Sequence, residues 1–196
     1  MVKRGLTERL PTQPGQFDLF VIVVTAIALL GWLTAPPGAL TGALLLAAAV
    51  LQAIRLARWG GVHAASDPLV LILHVGYAWI PIGLALLGLG IAGLSVPRSA
   101  AIHALTAGAM ATMILAVMTR ASLGHTGREL KANAATVAIY LLITAAVVVR
   151  VATALGVAPY RLGMDLAGSA WAAALLVFLI GYAPVLWRPR LGDSTA

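Results

Sequence analysis

The chain contains no cysteine. That excludes disulfides, thiolate-ligated clusters and covalently attached c-type haem, so any bound metal must use histidine, methionine, carboxylate or backbone oxygen. Acidic side chains are scarce as well, six in 196 residues. No paired carboxylates occur, and neither do a phosphate-cradling glycine loop, a nucleophile elbow or a His-Glu-x-x-His arrangement. Hydrolysis, or transport coupled through membrane carboxylates, is therefore poorly supported, and no catalytic residue is assigned. Charged residues make up only 10% of the chain. A water-soluble domain of this length would have too little polar surface to cover itself.

What the chain has in abundance is apolar sequence, 61% by residue, with a mean hydropathy of +0.99. A hydrocarbon core about 30 Å thick requires about 20 apolar residues per helical crossing. Six such runs are present: 17–35, 38–54, 69–94, 100–119, 134–155 and 167–186. The expected fold is an all-α, polytopic transmembrane bundle. Its predicted organisation is an N-terminal segment over 1–16, a six-helix membrane domain over 17–187 and a tail over 188–196. The first run follows Glu8 and contains Asp18, so an uncleaved first span is expected rather than a signal peptide.

Lys and Arg divide unequally between the two sides. Ten (Lys3, Arg4, Arg9, Arg55, Arg58, Arg120, Arg128, Lys131, Arg188 and Arg190) fall on one side, against Arg98, Arg150 and Arg161 on the other. This asymmetry predicts that both termini are cytoplasmic. It also accounts for the formal charge of +7: the basic residues face an anionic leaflet, and no basic run alternates with aromatics as a nucleic-acid groove would require.

Along the chain, Pro36-Pro37-Gly38 predicts a tight turn between the first two spans. Ser66 or Asp67 ahead of Pro68 reads as an N-cap with a first-turn proline. The third span carries Gly76, Gly83, Gly88, Gly90 and Gly93; the fourth carries Ala100, Ala104, Gly108 and Thr112 at four-residue spacing. Small residues at that period predict close packing of these two helices, and Pro81 predicts a kink in the third.

His74 and His103 lie inside predicted spans, where ionisable groups are rare and usually functional. Counting about 1.5 Å per residue places them near opposite faces, roughly 17 Å apart along the membrane normal, too far to share one haem iron. On an ideal helix Met110 and Met113 project within roughly 80° of His103, and Met118 within about 60° on the other flank. His/Met sets suit haem iron or copper(I), and His74 with Met113 is the best depth-matched pair. The plainer account is a methionine filling a helix contact and a histidine bonded to a neighbouring carbonyl.

The fourth span ends in Met118-Thr119-Arg120-Ala121-Ser122-Leu123-Gly124-His125-Thr126-Gly127-Arg128. Gly124 and Gly127 would allow a turn that folds His125 back over the helix end, towards His74 or His63. Arg120 and Arg128 suit an anion or a propionate; the alternative is a basic stop at the membrane face. Arg150, inside the fifth span, has three options: to snorkel, to pair with Asp165, or to meet a propionate near His103.

Three linked stretches, 68–79, 103–113 and 117–128, resemble the NnrS family, and Arg55-Leu56-Ala57-Arg58-Trp59 before them and Tyr182-Ala183-Pro184 after them extend the resemblance over most of the chain. The resemblance implies a multi-pass protein of the bacterial inner membrane that binds haem b and copper and acts in nitric oxide metabolism, denitrification or nitrosative stress. It also implies that His74, His103 or His125 touches a cofactor, with Met110, Met113, Arg120, Arg128 and Arg150 as further cofactor contacts. Family members are about twice as long, with about twelve spans. This chain is similar to their C-terminal half and lacks the Trp-His-x-His-Glu-Met segment of the other. The cofactor would then need a second polypeptide, or a homodimer, in the bilayer. Two other readings stand beside this one: a cofactor-free membrane assembly or interaction subunit, and half of a transporter with Pro81 as the helix break.

Overall fold

The computed structural model describes residues 15–34 and 37–190, without the side chains of Val62 and His63. It is all-helical, and no strand occurs among the described residues. Six helices are long and apolar enough to cross a membrane: α1 (Gln16–Thr34), α2 (Ala39–Ala57), α3 (Pro68–Ile91), α4 (Arg98–His125), α5 (Ala134–Ala154) and α6 (Tyr160–Trp187). A short 3-10 turn, Gly61–Ala64, precedes α3. The expected sidedness of Lys3, Arg4 and Arg9, the turn at Pro36 and the tail beyond residue 190 lie outside the described residues.

The apolar faces point outward as much as inward: Leu40 is 75% exposed and Ile180 74%. Lipid solvates such side chains, so the interior holds together by close backbone approach more than by expulsion of water. α2 packs along α3, α5 packs along α6, and α3 touches α2, α4 and α5 as the central helix. One apolar cluster (Leu69, Ile72, Leu115, Ile139, Ile143, Tyr182) joins α3 to α6; a second (Ala28, Leu45, Ala48, Leu84, Leu87, Ala101) joins α1 to α4.

The predicted contact of α3 with α4 is present. A Cβ at Gly76 would lie 3.0 Å from Met113 Cγ, one at Gly83 2.6 Å from Leu105 Cγ, and one at Gly108 2.5 Å from Trp79 Cγ. Gly88 serves a different neighbour: a Cβ there would lie 2.7 Å from Leu46 Cγ of α2. The expected N-cap is Asp67, whose Oδ1 accepts from the Leu69 amide at 3.1 Å, with Pro68 in the first turn.

Two features differ from expectation. α4 continues past Thr119 to His125, because the polar Arg120–Ser122 stretch still satisfies helical hydrogen bonds. α6 starts at Tyr160, ahead of the apolar run, with Arg161 and Asp165 on its first turns. At 28 residues each, these two helices are about 42 Å long and exceed the hydrocarbon core, so their polar ends lie beyond it or the helices tilt. α3 runs unbroken through Pro81 to Ile91. Within α4, residues Ala104–Ala111 form a π-helical stretch.

Candidate functional site

His74 stands one and a half turns into α3. The Val70 carbonyl lies 3.0 Å from its Nδ1, and a carbonyl only accepts, so Nδ1–H is the donor and the neutral ring carries its lone pair on Nε2. That Nε2 is buried and has no hydrogen-bond partner among the described residues. Trp59 meets the ring edge-on at 6.1 Å. A Cβ at Gly61 would come within 2.7 Å of Cδ2 and 3.3 Å of Nε2, so a glycine there leaves room for the imidazole. Metal-binding histidines are commonly oriented in this way, one ring nitrogen tied to a carbonyl and the other presented.

Beside it runs a polar network that was not anticipated. Arg55 donates through Nε to Asp18 Oδ1 at 2.8 Å and through Nη1 to the Tyr77 hydroxyl at 2.8 Å. Tyr77 donates to Gln52 Oε1, and Gln52 Nε2 donates to Thr25 Oγ1 at 2.9 Å. The Arg55 guanidinium also lies 5.5 Å from the Trp59 ring, which packs on Tyr77 at 4.4 Å. The signal was available: Asp18 and Gln52 interrupt apolar runs, and buried polar groups in lipid need partners.

The second place is at the other end of the bundle. His103 of α4 and Arg150 of α5 line a cavity of about 190 Å³ closed by Met164, Gly168 and Trp171 of α6. No Arg150–Asp165 ion pair forms among the described residues, and Asp165 is exposed on α6. Of the three options open to Arg150 the pairing with Asp165 is not taken; the half-buried guanidinium lines the cavity beside His103.

The third is a shallow groove where Arg120 and His125 of α4 meet Leu73 of α3. His125 is exposed and is the last residue of α4, not part of a turn that folds back over the helix end. The helix continues through Gly124, so the turn follows the histidine at Gly127, whose φ of 71° needs glycine. Arg128 stays on its own loop, Nη1 3.4 Å from the Thr126 carbonyl. The side chain of His63 is not among those described.

The methionine stripe is dispersed. Wider turns over Ala104–Ala111 rotate less per residue than the α-helical count assumes. Met110 is 60% exposed, and Met118 is exposed as well. Met113 packs on Gly76, nearly opposite His74 around α3, so the pair matched by depth is parted by the helix itself. Among the described residues no three His, Asp or Glu side chains converge as a metal cage.

A family model described as NnrS protein matches residues 1–190. The chain belongs to the NnrS family. The match takes in α1 and α2 with Asp18, Gln52 and Arg55, and so covers the unanticipated network as well as the histidines. No curated protein and no solved structure matches the chain.

Proposed function

We propose that this NnrS-family chain is a haem- or copper-binding protein of the bacterial inner membrane that acts in the response to nitric oxide, with His74 as its ligand-bearing residue. The observation that carries this reading is the His74 ring: Nδ1 tied to Val70, and Nε2 buried, unpartnered and given space by Gly61. One nitrogen of that kind would suit a haem iron. The described donors do not make up a copper site by themselves, since Met113 packs against Gly76 on the far side of α3 from His74 and no three His, Asp or Glu side chains converge among the described residues. Further ligands would come from a second polypeptide or a second copy of the chain. A haem bound there would supply an iron that coordinates nitric oxide. Trp59 would hold the imidazole plane and exclude water, while Arg55, fixed by Asp18 and Tyr77, would hold Trp59.

The test is a reduced-minus-oxidised visible spectrum with metal analysis, on the full chain purified in mild detergent after expression with haem precursor and copper supplied. The expected result is a Soret band lost in His74→Ala and kept in His125→Ala, with helix content by circular dichroism unchanged in both. A colourless, metal-free and folded wild-type chain would overturn the self-contained form and favour the cofactor-free interaction subunit.

A further inference from the structure

The cavity between α4, α5 and α6 combines two features that rarely meet in a membrane span. Its walls are apolar and carved by small side chains, Ala107, Ala146, Ala167 and Gly168. Its ionisable lining groups, His103 and Arg150, are both basic. Arg150 makes no hydrogen bond or ion pair among the described residues. A guanidinium is always charged, and one held at a low-dielectric wall without a counterion is costly.

Position narrows the counterion. Arg150 lies four residues before the end of α5 at Ala154, and His103 five residues after the start of α4 at Arg98. Both are therefore about 6 to 8 Å inside their helix ends, where headgroups meet acyl chains. The cavity is only half enclosed, and Gly168 and Trp171 of its lining are exposed on the outer face of the bundle. At about 190 Å³ it is slightly larger than the roughly 150 Å³ cavity that accepts benzene, and smaller than the pockets of about 300 to 1,000 Å³ that take larger ligands. An anionic group with its first methylenes fits that space. The positive charge of Arg150 opposes a metal cation at His103.

We propose that the His103–Arg150 cavity binds the anionic headgroup of a membrane amphiphile, a phosphate or a carboxylate carried on an acyl chain. Arg150 pairs with the anion, His103 donates a hydrogen bond to it, and Trp171 with Met164 lies along the first part of the chain.

Trp171 is a reporter built into the site. The full chain is placed in bilayers containing brominated phosphatidylcholine, brominated phosphatidylglycerol or brominated stearate, and the quenching due to Trp171 is isolated by subtracting a Trp171→Phe variant. The expected result is a preference for an anionic amphiphile over the zwitterionic one of roughly tenfold, the factor one charge-assisted hydrogen bond supplies, lost in Arg150→Gln. Stronger quenching by the phosphatidylglycerol identifies a phosphate, and by the stearate a carboxylate; either supports the site. Gly168→Leu is a second variant: Gly168 lines the cavity and a Cβ there meets nothing within 4 Å, so the backbone tolerates the bulk that narrows the cavity, and the preference should fall again. Equal quenching by all three, or a preference that survives both variants, would overturn the proposal. Haem content per chain is read on the Gly168→Leu protein as well; a loss of haem there would assign the cavity to the cofactor and overturn the lipid site.

Discussion

Thr112 and Thr119 sit two turns apart on α4, both fully buried, yet their hydroxyls have opposite fates. Thr119 Oγ1 bonds the Leu115 carbonyl at 2.9 Å and shares a 2.5 Å hydrogen bond with the Tyr140 hydroxyl. Thr112 Oγ1, just after the π-helical stretch, has no partner among the described residues. An unsatisfied buried hydroxyl costs more than a methyl of the same shape. Thr112→Val should therefore leave stability unchanged or raise it by about 1 kcal/mol, whereas Thr119→Val, which strands Tyr140, should lower it by about 1 to 3 kcal/mol. Thermal denaturation in detergent followed by circular dichroism separates the two; equal losses would contradict the assignment. His74 belongs to the same class of observation. Its presence inside a span was legible in the sequence, but the direction of its ring was not, since that depends on Val70, Trp59 and Gly61 together.

Helix pairs explain which glycines matter. Gly108 is pressed on Trp79, and a Cβ there would lie 2.5 Å from Cγ of the indole. A Cβ at Gly168 meets nothing within 4 Å. Gly108→Ala should cost about 1 to 3 kcal/mol through overpacking, while Gly168→Ala should be neutral or stabilising by up to about 1 kcal/mol, since it only removes backbone freedom. The same melting measurement reads both, and a destabilised Gly168→Ala would show that α6 packs more closely on α5 than described. Four-residue spacing of small residues correctly indicated that α3 meets α4. It was silent on Gly88, which faces α2 instead, because spacing identifies a smooth face and not the helix that lies on it. The His/Met stripe failed for a related reason: an angle counted along an ideal helix does not survive the π-helical stretch between His103 and Thr112.

Across the bundle, Arg55, Arg58, Arg120, Arg128, Lys131, Arg188 and Arg190 gather at one end if each helix crosses in turn, and Arg98, Arg150 and Arg161 at the other. With these charges we expect both termini in the cytoplasm. A fluorescent protein fused after Ala196 should fluoresce, alkaline phosphatase fused there should be inactive, and phosphatase inserted between α3 and α4 should be active. The reverse pattern would invert the proposed orientation and move the His103–Arg150 cavity to the inner leaflet.

Residue composition by itself determined that this protein lives in lipid and crosses it as helices, because a backbone in hydrocarbon must bond within its own segment and apolar length sets the number of crossings. It also determined where polar groups interrupt the spans. Only the tertiary structure decided which of those groups meet: Asp18, Gln52, Arg55 and Tyr77 in one network, and His103 with Arg150 across one cavity, while Met113 packs on Gly76, on the far side of α3 from His74. In lipid every helix face is nearly equally apolar, so the hydrophobic pattern does not select partners. That choice falls to close contacts between small residues and to hydrogen bonds between helices, and both exist only once the helices are side by side.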